Sequence, residues 1–264
     1  MSAVVSSTLQ RAAALWFITA VAGQWLFVYY ISAFYGPATA AGDFAAWDRN
    51  KNMTDGYLAG DDVGNLFFAS HVMAAAAVTF AGTLQLVPWI RERAIVFHRW
   101  NGRIFMIAAL TGALGGLYLE WVRGTGLRAP TGLPSAIAIT LNATLILAFV
   151  VMAWQAARNR NIAAHRVWAV RLFLVVNGTW FMRVGYRAWA ALTDGGIDGF
   201  PFFSYWSFAA YLLPLAVYEL YLRAKTSGPA AQHAMAAVLV ALTAVMVVGE
   251  VFTFVRNWRP LLAL

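Results

Sequence analysis

The chain has 264 residues, of which 61% are hydrophobic and only 11% charged, with a net charge of +8 and a mean hydropathy of +0.65. A soluble domain carries roughly 25% charged residues, so this chain needs lipid as its solvent. With no cysteine it has no disulfide, no thiolate nucleophile and no Cys-ligated metal.

Seven apolar runs are expected to be helices, at about 12–34, 64–89, 99–121, 133–156, 166–190, 202–222 and 232–255. Each has the roughly 20 residues needed to cross about 30 Å of hydrocarbon. The expected fold is all-α: one integral membrane domain over residues 1–264, with a core of helices at about 64–190. The first run, Ala12 to Phe34, is too long for a signal peptide and is preceded only by Arg11, so it is expected to be retained. The link after it, roughly Tyr35 to Gly64, carries Trp47, Asp48, Asn50, Asn52 and Tyr57. Links of that length are uncommon unless they act as lids or binding loops; an ordered cap without a ligand is the plain alternative.

The net positive charge rests almost wholly on arginine, because Lys51 and Lys225 are the only lysines. Arg91, Arg93, Arg99 and Arg103 flank the second link, Arg158, Arg160, Arg166 and Arg171 the fourth, and Arg223 and Lys225 lie in the sixth. They alternate with acidic links that hold Asp43, Asp48, Asp55, Asp61 and Asp62 in the first, and Asp194 and Asp198 in the fifth. This is the positive-inside pattern, not a nucleic-acid surface. It puts the N-terminus in the cytoplasm and the C-terminus outside, in a bacterial inner membrane. A short parallel repeat is visible: residues 85–105 and 155–173 both run helix end, basic link, His-Arg, Trp, Arg, apolar helix.

Ionisable residues inside membrane helices are costly and are functional candidates. His71 lies about 10 Å deep at 1.5 Å per residue, on a face continued by Ala75, Val78, Gly82 and Gln85. It suits a metal, haem or proton-relay role, or a hydrogen bond between helices. In the third run His98, Gly102, Ala109, Gly112, Gly116 and Glu120 share a face, a groove for a neighbouring helix or a flat ligand. In the fifth, His165 and Arg183 share a face if the helix is continuous, with Thr179, Trp180 and Arg187 close by. Arg187 is placed to snorkel to the surface. Arg183 needs a partner, for which Glu120 and Glu250 are candidates. His71, Glu120, Arg183, Arg187 and Glu250 would then form an outer pocket for a polar or anionic ligand. At the inner end His98 and His165 begin the third and fifth runs. Bis-histidine ligation across facing helices is a way to hold haem b, with Arg103, Arg171, Arg99 and Arg166 available to propionates. His233 falls in a junction, as a surface residue.

Several chemistries are excluded. No lysine lies in the seventh run for a retinal Schiff base. There is no His-Glu-x-x-His spacing, no gathering of Ser, His and Asp, and no pair of Gly- and Pro-interrupted helices of the transporter kind. Gly112-Ala-Leu-Gly115-Gly116 sits within a span and is not a phosphate cradle.

Ser70-His71, the junction Pro88…Arg91-Glu-Arg…Phe97-His98-Arg99-Trp100-Asn101-Gly102-Arg103 followed by Gly115-Gly116-Leu-Tyr118, and His165-Arg166-Val-Trp168-Ala-Val-Arg171 together resemble a widespread bacterial family of predicted multi-pass membrane proteins catalogued as a domain of unknown function. The resemblance covers about 64–190. It departs at Asn101, where the family more often has Leu, and at Val167, where it more often has Arg. It implies a membrane topology and points at His71, His98 and His165, without supplying a reaction. A loose likeness to membrane b-type cytochromes is one of fold only. The expected function is a redox-associated membrane protein binding haem b or a quinone-like ligand through these histidines. Alternatives are an accessory subunit packed against other membrane subunits or a second copy, and a small-molecule binder or transporter using the outer pocket. The bilayer is the expected partner in every case.

Overall fold

The computed structural model describes residues 5–51, 56–128, 132–193 and 200–262; Asn52, Asp55, Asp194 and Asp198 lie outside them. The described residues are almost entirely helical, and no strand occurs among them. Ten helices follow in order: α1 Ser7–Ala41, α2 Asp62–Gln85, α3 Pro88–Arg93, α4 Ile95–Trp121, α5 Thr125–Arg128, α6 Gly132–Arg158, α7 Ile162–Val176, α8 Gly178–Leu192, α9 Phe200–Lys225 and α10 Pro229–Thr253. A π turn, Phe254–Trp258, and a 3-10 turn, Arg259–Leu261, extend α10.

Local chemistry sets the ends. Ser6 caps α1, its hydroxyl accepting the Leu9 N–H. The helix stops at Gly42, whose φ of 70° suits a residue without Cβ and whose N–H returns to Ala38 and Thr39 carbonyls. At 35 residues α1 is about 52 Å long, well over the hydrocarbon thickness. It continues past the expected end near Phe34, so the first link is shorter than the sequence suggests. Asp61 caps α2 by accepting the Gly64 N–H. α2 ends at Gln85, before the expected 89, because Pro88 lacks an N–H and disfavours helix in the residue before it.

Five helices (α1, α2, α4, α6 and α10) are long and apolar enough to cross a membrane. The pair α7 and α8, bent by 55°, makes six if it counts as one span. The helix expected at 202–222 is α9, 26 residues long. Its described residues are too rich in Tyr, Trp and charge to reach the same apolarity. The continuous fifth helix is corrected: the chain breaks at Asn177, so His165 on α7 and Arg183 on α8 do not share a face.

Residue pairs give the packing. α1 and α2 are antiparallel, with Trp25 Nε1 donating to Thr83 Oγ1 at 3.0 Å near one end and Tyr35 against Phe68 near the other. α2 and α4 are antiparallel from Asp61–Arg123 to Gln85–His98. α6 and α7 form a hairpin through Phe149–Trp168 and His165–Ala153. α9 runs antiparallel along both halves of the bent pair, from Arg171–Glu219 through Met182–Trp206 to Tyr186–Phe202. α10 lies parallel to α1, since Ser6 N–H donates to Gln232 Oε1 at one end while Trp258 stacks on Tyr30 at the other. One large apolar core joins these helices, and the exposed Leu, Ile, Val and Trp side chains form the lipid-facing surface.

Asn177 lies at the centre and is fully buried. Its Oδ1 accepts from Thr79 Oγ1 of α2 at 3.1 Å and its Nδ2 donates to the Phe173 carbonyl at 2.8 Å. A carbonyl at the bend, that of Phe173, thus finds a partner inside protein, the condition for a break at membrane depth.

Candidate functional site

A cavity of about 300 Å³ lies between α2, α4, α6, the α7–α8 bend and α9, in the half of the bundle away from the arginine junctions. Small side chains open it: Ala75, Ala108, Ala109, Gly112, Ala113, Ala138 and Ala143 all line it. Phe68, Val78, Leu119 and Ile146 keep it mainly apolar. The polar groups in its wall are His71, Glu120, Thr125, Asn142, Thr179, Ser207 and Tyr211. Few polar groups in an apolar concavity is the usual composition of a ligand site, and the volume falls at the lower end of the range for such sites.

His71 is held firmly. Its Nδ1 lies 2.8 Å from the Gly112 carbonyl oxygen; a carbonyl only accepts, so Nδ1 carries a proton, and in the neutral ring Nε2 keeps its lone pair. A Cβ at Gly115 would stand 3.2 Å from His71 Cβ, and one at Gly116 3.3 Å from His71 Cε1. The glycine groove of α4 therefore receives the imidazole of α2. That is a tighter use of the small residues than a general helix contact, and it leaves the ring edge in the cavity wall.

Arg183 stands behind that wall. Its Nη1 donates to the Thr179 carbonyl at 2.9 Å and to Thr179 Oγ1 at 2.6 Å. The guanidinium lies 5.4 Å from the Phe27 ring, and is near enough for its charge to act on His71 and Tyr30. Glu120, 2% exposed, lies in the cavity wall near the end of α4. Arg187 and Glu250 do not line the cavity. Arg187 lies against Tyr186, and its Nε is enclosed without a hydrogen-bond partner among the described residues. The Glu250 carboxyl packs into the space left by Gly23 of α1, and its Oε1 has no hydrogen-bond partner among the described residues. Of the five residues expected to form an outer pocket, His71 and Glu120 line one cavity and Arg183 backs it.

The other end of the bundle holds His98, His165, Arg103 and Arg171. His165 Nδ1 donates to the Ala153 carbonyl at 3.0 Å. His98 Nδ1 is enclosed without a hydrogen-bond partner among the described residues. Arg171 is committed to Glu219, Nε to Oε1 at 2.7 Å and Nη2 to Oε2 at 2.9 Å. A macrocycle ligated by His98 and His165 needs a slot between them. The large cavity and a smaller one of about 100 Å³, lined by Trp16, Phe181, Trp206 and other apolar groups, include neither histidine. Among the described residues no group of three or more His, Asp and Glu is placed to hold a metal ion.

Other residues emerge only in the folded chain. Asn142 lines the cavity, its Nδ2 close to Gly178 and its Oδ1 without a partner among the described residues; an amide inside the run 133–156 was a visible signal. Above the cavity, Arg123 is 8% exposed and bonds Asp61 Oδ2 at 2.9 Å and Asn65 Oδ1 at 2.7 Å. Asn65 in turn holds both backbone groups of Leu58. Asn50 donates to the Tyr30 and Tyr35 hydroxyls at 2.9 and 2.8 Å. The described residues of the first link are thus pinned across the ends of α1, α2 and α4.

A family model described as "Predicted membrane protein (DUF2306)" matches residues 68–222, more than half of the chain. The match takes in α4, α6, α7 and α8 whole, and with them His71, His98 and His165. Neither a curated protein nor a solved structure matches the chain.

Proposed function

We propose that this chain, which belongs to the DUF2306 family of predicted membrane proteins, binds a small amphipathic ring compound of quinone-like chemistry in the cavity beside His71. The observation that carries the reading is the fixed imidazole in the cavity wall: Nδ1 is spent on the Gly112 carbonyl, which leaves Nε2 of the neutral ring as the acceptor for a ligand. A ring hydroxyl donates to Nε2, and Asn142 and Thr179 supply further polar contacts from the opposite wall. Arg183, held by Thr179, keeps positive charge behind the site, which favours the deprotonated oxygen of a bound hydroquinone. The apolar wall takes the ring faces. About 300 Å³ suits one ring with small substituents rather than a macrocycle.

The test is titration of the detergent-purified protein with a short-chain benzoquinol, followed by tryptophan fluorescence. His71→Ala removes one hydrogen bond worth about 1 kcal/mol, so the affinity falls roughly five- to tenfold, and Ala75→Leu, which fills the cavity, abolishes binding. Equal affinity in wild type and both variants refutes the site. The haem b alternative engages His98 and His165 through their uncommitted ring nitrogens and is tested separately. A Soret band with sharp reduced α and β bands, lost in His98→Ala and His165→Ala, would support it, and a featureless spectrum from haem-replete cells would refute it.

A further inference from the structure

The two copies of the short repeat fold into the same local device and then differ in one respect. In α4 the Arg103 guanidinium lies 4.4 Å from the Trp100 ring, and in α7 the Arg171 guanidinium lies 4.4 Å from the Trp168 ring. Both are i, i+3 stacks one turn beyond a His-Arg pair. In α7 the arginine is neutralised by Glu219 through two short bonds. In α4, among the described residues, neither Arg103 nor Arg99 has an acidic partner. The nearby carboxylate, Glu92, is at the protein surface and turned to Arg91 at 3.5 Å.

Arg99 and Arg103 are exposed and stand i, i+4 on α4. Their flank of the helix carries Trp100, Ile104 and Ile107, which are 59%, 54% and 63% exposed. Arg103 is eight residues, or about 12 Å, along α4 from Ile95. A guanidinium at the edge of an apolar, lipid-facing stripe is costly without a counter-ion, and among the described residues none is paired with it. We propose that the counter-ion is the headgroup of an anionic phospholipid, its phosphate held by the Arg99 and Arg103 guanidinia beside Trp100 and its acyl chains lying along Ile104 and Ile107. Guanidinium forks match phosphate oxygens in geometry, and the indole belongs at headgroup level. The continuation of the cationic pair into exposed isoleucines favours a lipid over a free phosphate, which has no use for an apolar stripe.

The experiment uses the full chain in mild detergent with added phosphatidylglycerol or phosphatidylcholine, and native mass spectrometry to count retained lipid. Wild type retains phosphatidylglycerol in preference to phosphatidylcholine. The Arg99→Gln/Arg103→Gln protein loses that retention about thirtyfold, about fivefold for each cation. Arg171→Gln is the matched control from the second repeat, and it retains phosphatidylglycerol as wild type does because its charge is spent internally. Arg99→Lys/Arg103→Lys keeps the charges and most of the retention, which separates loss of the site from loss of the fold. The proposal is overturned if the double Gln variant retains phosphatidylglycerol like wild type, if Arg171→Gln loses it equally, or if millimolar inorganic phosphate displaces it.

Discussion

Gly249 and Gly112 are both glycines in the interior of apolar helices, and the structure assigns them opposite responses to the same substitution. An Ala in place of Gly in mid-helix gains about 0.5–1 kcal/mol from the backbone alone. At Gly112 a methyl group would meet nothing but the Ala74 Cβ, at 4.0 Å, so Gly112→Ala should keep that gain. At Gly249 it would overlap the Val184 carbonyl oxygen, with Val184 Cγ1 at 2.8 Å and the carbonyl carbon at 2.9 Å. A side chain can rotate away from such a contact but a carbonyl cannot, so α8 and α10 must move apart. Overpacking of this kind costs about 1–3 kcal/mol, which leaves a net loss of up to roughly 2.5 kcal/mol after the helix gain, and about 0.5–2 kcal/mol away from the extremes of the two ranges. For a chain of this size that is a fall in Tm of about 1–8 °C, against a rise of about 1–4 °C for Gly112→Ala. Thermal unfolding in detergent, monitored by tryptophan fluorescence and by retention of the monodisperse gel-filtration peak, gives both values. Adding Val184→Ala to Gly249→Ala relieves Cγ1 but not the carbonyl, so recovery should be incomplete. If Gly249→Ala is as stable as wild type, the close approach of α8 and α10 is wrong.

Gly23→Ala should also destabilise, since its methyl would overlap the Glu250 carboxyl; here the obstacle is a side-chain end, so Glu250→Ala in the same protein should restore most of the loss, and a double-mutant cycle in the same melts shows no coupling if the two residues are not in contact. Asn177→Ala should cost about 1–3 kcal/mol, because it strands the buried Thr79 hydroxyl and removes one of the two hydrogen bonds to the Phe173 carbonyl. A melt of Asn177→Ala indistinguishable from wild type would mean that the bend between α7 and α8 does not depend on this side chain.

Much of the scaffold was legible in one dimension. Apolar composition and run length are sums over neighbouring residues, so the need for lipid, the helical class and the arginine-bearing ends of α4 and α7 were all visible. The break at Asn177 was only half visible. Asn-Gly is a turn signal, but the run from 166 to 190 is apolar enough to outweigh it, and the partner that stabilises the break, Thr79, is 98 residues away. The outer pocket was similar: the depths of His71, Glu120 and Arg183 could be counted along their helices, whereas their relation could not. Depth follows from position along one helix, but which side chain fills which gap depends on how several helices rotate against one another. That rotation put the His71 ring into the glycines of α4, set the Glu250 carboxyl against Gly23, and left Arg171 paired with Glu219 while Arg103 is exposed. Composition and spacing set the solvent, the elements and the charge asymmetry of this protein, because those are properties of residues and near neighbours. Close packing alone decided the cavity and the pairing of its charges, because contacts between distant residues are chosen by shape and by the cost of leaving a buried polar group without a partner.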